Sequence, residues 1–132
     1  MQQPIHSIFV ADDDEDDHYL LQTAFRVDCP TCQLQFAYDG LILLELLSQS
    51  VLTPSLIILD LNMPRLDGFE TLQILRHNPL YTKTPIVILT TSDNQSDRRQ
   101  AYELQANEFV TKPLSLHGLT QLVQQFRRTW LL

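Results

Sequence analysis

The runs Leu56-Ile57-Ile58-Leu59 and Ile86-Val87-Ile88-Leu89 are apolar without a break. Such short runs, bounded by turn-forming residues, predict strands buried on both faces, the pattern of a parallel sheet. The first run ends on an acid, and Met63-Pro64 follows closely, where proline blocks continuation and fixes a turn. The spacing predicts five strands: Ile5–Ala11, Leu34–Tyr38, Leu56–Asp60, Pro85–Thr90 and a short Glu108–Thr111. Helical periodicity falls between them. One helix spans Asp16–Val27, with Leu20, Leu21, Ala24 and Phe25 at helical spacing; a second, Leu41–Ser48, is apolar nearly all round. Asp67-Gly68 starts a third helix, which Asn78-Pro79 ends. The fourth helix, Gln95–Gln105, has little apolar content beyond Ala101, Tyr102 and Leu104, and so is expected to be locally weak and mobile. Ser115 caps the last, whose core stripe is Leu116, Leu119, Leu122, Val123, Phe126 and Trp130. Strand and helix alternate five times, which predicts an α/β domain: a doubly wound, five-stranded parallel sheet flanked by five helices.

At 132 residues the chain fits one domain able to bury a core without staples. No run approaches the length of a membrane span and the start lacks a signal-peptide pattern, so the expected location is the cytoplasm, with no membrane partner. A net charge of −7 argues against direct nucleic-acid binding, because there is no excess of cations to displace counterions from phosphates. The acidity is local: Asp12 to Asp17 holds six of the sixteen carboxylates, which reads as a cation site followed by a helix start. Cys29 and Cys32 form a C-x-x-C, but they fall in a helix-to-strand connection, where neither the thioredoxin context nor a second pair for zinc exists. They are read as incidental. The four histidines, His6, His18, His77 and His117, are scattered and read as structural or surface residues.

In a parallel sheet all carboxyl ends lie on one edge, where such folds place their ligands. Strand one ends at Asp12-Asp13, strand three at Asp60, strand four at Thr90-Thr91 and strand five at Lys112. Clustered carboxylates repel unless a cation neutralises them, and an all-oxygen set suits Mg²⁺, with Mn²⁺ as an acceptable substitute. A lysine and a threonine hydroxyl are natural partners for phosphoryl oxygens. The constellation describes phosphoryl transfer to or from a carboxylate, with Asp60 the leading reactive residue; the other reading of Asp60 is a turn or cap aspartate. The glycines, Gly40, Gly68 and Gly118, form no nucleotide-cradling loop.

Together these motifs resemble the receiver domains of two-component response regulators. They are the acidic pair Asp12-Asp13, the Asp-Leu-Asn-Met-Pro-x-Leu-Asp-Gly run at 60–68, Leu-Thr-Thr at 89–91 and Phe-Val-Thr-Lys-Pro at 109–113. The resemblance covers essentially the whole chain and implies the flavodoxin-like fold of the chemotaxis regulator. It also implies that Asp60 is the phosphoacceptor for a sensor histidine kinase. Asp13 would bind the metal directly, Asp12 mainly through water, and Asn62 through its backbone carbonyl. Thr90 and Lys112 would contact the phosphoryl group, and Lys112-Pro113 would carry a cis peptide. Activation would couple Thr90 to inward rotation of Phe109 and so switch the face made by helix four, strand five and helix five. Phenylalanine lacks the hydroxyl of the tyrosine common at that position.

Because the chain stops after the last helix, it resembles stand-alone receivers, including phytochrome-linked ones: residues 1–132 are expected to form one receiver without an output domain. It is then a phosphoacceptor signalling protein rather than an enzyme, acting on a downstream protein or phosphotransfer domain, or as a homodimer through the switched face. Two alternatives stand beside it. One is a metal-dependent phosphatase with an aspartyl-phosphate intermediate, against which Asn62 stands where such enzymes carry a general acid. The other is a phosphorylation-independent binding module. Phe126, Trp130, Leu131 and Leu132 either leave an apolar contact patch or pack on the domain's own core.

Overall fold

The computed structural model describes residues 5–131. Five parallel strands, β1 (His6–Ala11), β2 (Cys32–Ala37), β3 (Leu56–Leu59), β4 (Ile86–Thr90) and β5 (Glu108–Thr111), form one sheet in the order β2-β1-β3-β4-β5. Five helices connect or follow them: α1 (Glu15–Asp28), α2 (Gly40–Gln49), α3 (Gly68–Arg76), α4 (Gln95–Glu103) and α5 (Leu116–Trp130). This is the doubly wound arrangement that the alternation predicts. A 3₁₀ turn at Pro79–Tyr81 is added between α3 and β4.

Each helix is started by a short polar side chain that accepts a backbone N–H of the first turn: Asp14, Asp39, Asp67, Asn94 and Ser115. Asp67 does so reciprocally with Glu70, a capping box. Two apolar layers sandwich the sheet. On one side Phe9, Ile57 and Ile88 pack with Leu43, Leu72 and Ala101 of α2, α3 and α4. On the other, Ile8, Ile58 and Val87 pack with Phe25 of α1 and Val123 and Phe126 of α5. Every residue of β3 and β4 is buried, as continuous apolar strands require.

The C-terminal alternative is decided for the described residues. Phe126 and Leu131 are buried against the domain itself, and Trp130 is half-buried, donating its indole N–H to Glu108 at 2.6 Å. Leu132 lies outside the described residues. Cys29 caps the end of α1, Cys32 opens β2, and the two are joined in a disulfide, correcting the expectation that they are incidental. Among the described residues, no helix is long and apolar enough to cross a membrane.

Candidate functional site

The sheet ladder delivers acids to its carboxyl edge one step past the last apolar residues. The Asp12 N–H bonds the Ala37 carbonyl and the Asp60 N–H bonds the Ala11 carbonyl, both at 2.9 Å, so each acid continues its strand's alignment. Asp12 and Asp60 are buried, whereas Asp13 is exposed at the rim. Carboxylate oxygens of Asp12, Asp13 and Asp60 lie within 4.8 Å of one another. Three such oxygens, two of them taken out of water, form a donor set compatible with a divalent cation.

Asp60 is not a helix cap; Asp67 starts α3. Its carboxylate instead accepts from the Lys112 ammonium at 2.9 Å. The Asn62 N–H approaches its other oxygen at a long 3.5 Å. The Asp60 backbone is held from behind by Gly68, where a Cβ would overlap the Asp60 carbonyl oxygen and lie 2.8 Å from Leu61 Cα. Only glycine permits this approach of α3 to the end of β3. The turn between them is fixed at Arg65, which adopts a left-handed φ of 63° and pairs its Nε with Asp39 at 2.6 Å.

Lys112 is the hub of the crevice. Its Nζ lies 2.9 Å from Asp12, 2.6 Å from Asp17 and 2.9 Å from Asp60. Burial works against its charge, but the hydrogen bonds to these three acids prevail and hold its pKa above the ordinary lysine value. Burial pushes the Asp12 carboxyl up to about 7; the bonds from Lys112 and the Asp14 N–H offset that only in part, and Asp60 adds repulsion. The Lys112–Pro113 peptide is trans, correcting the cis bond that the resemblance implied. Trans is the lower-energy form even before proline, by about 0.5–1 kcal/mol. In this form the Lys112 N–H still bonds the Thr90 carbonyl at 2.7 Å, and its ammonium reaches Asp60.

The remaining expected residues stand one layer out. Thr90 is fully buried at the end of β4, and its hydroxyl oxygen accepts from the Ser92 N–H at 3.4 Å rather than meeting Asp60. Phe109 is buried in the α4-side core, with the Arg98 guanidinium 4.9 Å from its ring centre. The Phe109 N–H donates to the Tyr102 hydroxyl at 3.2 Å, and Arg98 donates to the Phe109 carbonyl at 3.2 Å. These polar ties bind α4 to β5.

Two residues of the site carry no local signal of their part in it. The pattern around Asp17 signals a helix start, and nothing local signals its pairing with a lysine 95 residues away. His18, expected among the structural or surface histidines, is structural and also supports the site: its Nε2–H donates to the Asp12 backbone carbonyl at 2.6 Å while the ring stacks on Phe36 at 4.7 Å.

Comparisons with known proteins agree with this geometry. The family described as response regulator receiver domain matches residues 8–124. Response regulator Rcp1 of Synechocystis sp. is 35% identical over 133 residues, covering 97% of this chain and 90% of that protein. The crystal structure of the phosphorylated cyanobacterial phytochrome response regulator RcpA superposes with a TM-score of 0.89 at 32% identity, covering 97% of this chain and 95% of that one. The Mn²⁺-bound form of response regulator Rcp1 gives a TM-score of 0.84 at 34% identity over 96% and 94% of the two chains. This chain, with its carboxylate crevice closed by one lysine, belongs to the response regulator receiver domain family.

Proposed function

We propose that Asp60 is the phosphoacceptor and that a sensor histidine kinase is its donor. The observation that carries this reading is the Asp60 carboxylate at the end of β3, buried, grouped with Asp12 and Asp13, and bonded to Lys112 at 2.9 Å. In the reaction an Asp60 oxygen attacks the phosphorus of a phosphohistidine. The new O–P bond forms as the P–N bond breaks, and the electron pair returns to the imidazole nitrogen of the donor. Lys112 supplies a fixed positive charge beside the transferred oxygens, and Gly68 and the ladder bond to Ala11 hold the nucleophile in place.

Asp12, Asp13 and Asp60, with the Asn62 carbonyl, would hold Mg²⁺, which neutralises developing phosphoryl charge when bound. The Mn²⁺-bound Rcp1 structure supports a divalent ion in such a site. Phosphoryl charge would recruit the Thr90 hydroxyl from Ser92 and bias Phe109 between its present buried position and an outward one. That change would be read by a downstream protein, a phosphotransfer domain or a second copy on the α4/β5/α5 face. A bias of a few kcal/mol suffices to shift such a two-state population usefully.

The test is the intact mass of the protein after incubation with acetyl phosphate, with and without Mg²⁺, beside Asp60→Asn. One phosphoryl addition that needs both Mg²⁺ and Asp60 is expected. Labelling retained in Asp60→Asn would sink the assignment, steady phosphate release would favour a phosphatase, and neither would favour a plain binding module.

A further inference from the structure

Three carboxylates share the Lys112 ammonium, and they are not equivalent. The side chains of Asp12 and Asp60 are only 3% and 7% exposed, whereas that of Asp17 is 26% exposed. Asp17 also makes the shortest contact, 2.6 Å. A buried carboxylate deprived of its partner is left desolvated at a cost, while one at the rim can take water instead. Asp17 is therefore the member of the set that can let Lys112 go. It projects from the first turn of α1, where the helix terminus stabilises its charge with or without the lysine.

We propose that Asp17 is a positioning residue that holds Lys112 at the mouth of the crevice in the unphosphorylated protein and competes with the phosphoryl group for its ammonium. The proposal rests on the reading of Asp60 as phosphoacceptor and adds a residue to that site. When Asp60 carries a phosphoryl group, Lys112 turns from Asp17 to the new oxygens and Asp17 is hydrated. The strength of the Asp17 contact then sets how readily the phosphorylated state is stabilised.

Two measurements test this. The chain has two lysines, Lys83 and Lys112, and Lys83 is exposed. A metal-free ¹H–¹⁵N spectrum of the lysine ammonium groups, assigned with Lys112→Gln, should show a protected Lys112 signal in the wild type. In Asp17→Asn that signal should exchange faster and broaden, and Asp17→Glu should restore it. An unchanged signal in Asp17→Asn overturns the tether.

The second is titration with beryllium fluoride, a phosphoryl analogue, at saturating Mg²⁺. Asp17→Asn should bind it severalfold more tightly than the wild type, and the gain should vanish in a Lys112→Gln background. A gain that persists without Lys112 reflects general charge and overturns the proposal. A wild type that takes up no beryllium fluoride overturns both this role and the Asp60 reading. Normal wild-type uptake with no gain in Asp17→Asn overturns only the role of Asp17.

Discussion

Leu59 and Asp60 are neighbours on one chain segment and both are buried, yet they contribute to the molecule in opposite ways. Below the edge of the sheet, Leu59 and the residues around it gain free energy by leaving water, and nothing about them must move. At the edge, Asp12 loses hydration and recovers only part of it from Lys112 and the Asp14 N–H. The interior supplies stability that the crevice consumes. Variants in the two regions should therefore move stability in opposite directions, and measurements of that kind would break or sharpen the contrast.

The largest effect is expected below the edge. Phe126 is fully buried between α5 and the sheet. Phe126→Ala should cost about 3–5 kcal/mol in a denaturant titration. A loss comparable to that of a surface substitution would mean that α5 is not welded to the sheet as described.

Gly68→Ala comes next, because it tests the junction of the two regions. The added Cβ meets backbone rather than a flexible side chain, so the end of β3 must shift. Overpacking of this kind costs about 1–3 kcal/mol. It should also reduce phosphoryl labelling of Asp60, because the Asp60 carboxylate moves with its backbone. Full labelling with normal stability would show that the approach of α3 is looser than the geometry states.

Asp12→Asn should act in the other direction, raising stability at neutral pH. The Asp12 carboxyl is raised from 3.8 to about 7 by burial, so the folded protein keeps a proton that the unfolded chain has already released. Over that window the native state binds more protons, and its stability falls as pH rises, levelling off above about 7. Thermal melts of the wild type should show this fall between pH 4 and 7, on the order set by the linkage relation, and Asp12→Asn should flatten it. Divalent cations should stabilise the wild type more on the alkaline side, since the metal competes with the proton. An unchanged slope in Asp12→Asn would mean that the proton is held elsewhere.

The smallest effect concerns α4, whose attachment resembles the crevice more than the core. It buries Ala101 alone, whereas α5 buries Leu119, Leu122, Val123 and Phe126. Its hold on β5 is largely polar, through Arg98 and Tyr102 to the Phe109 backbone. Tyr102→Phe removes one hydrogen bond and should cost about 0.5–1.5 kcal/mol. Amide exchange in α4 should accelerate while that of α5 stays put, and equal protection of both helices would remove the case for α4 as the mobile element.

Much of this was legible in the residue pattern, for reasons that can be named. β3 and β4 are continuous apolar runs because both faces of a central parallel strand are covered. β2 is a half-covered edge strand of alternating exposure, and its polar Gln33 and Gln35 blurred its start: it begins at Cys32 rather than Leu34 and ends before Tyr38. α4 stops at Glu103 because Gln105 adopts a left-handed φ of 72°, a conformation that no glycine announces there. The acids of the crevice were legible because strand ends on a shared edge converge whatever the loops do. Thr90 and Phe109 were placed on the right strands, but the partners of their polar groups were not foreseeable.

The sequence by itself determined the order of elements, the Asp67 and Ser115 starts of the third and last helices, and which acids, lysine and threonine arrive at one edge of the sheet. These follow from periodicity, turn residues and handedness, which act over a few positions. Only the tertiary structure decided that Lys112 is shared with Asp17, that His18 holds the Asp12 carbonyl, that Cys29 and Cys32 are bonded, and that Leu131 turns inward. Each of these depends on how packed layers bring side chains into register, within a few residues or across nearly a hundred. Such contacts are fixed by the geometry of the whole core, and no local pattern encodes them.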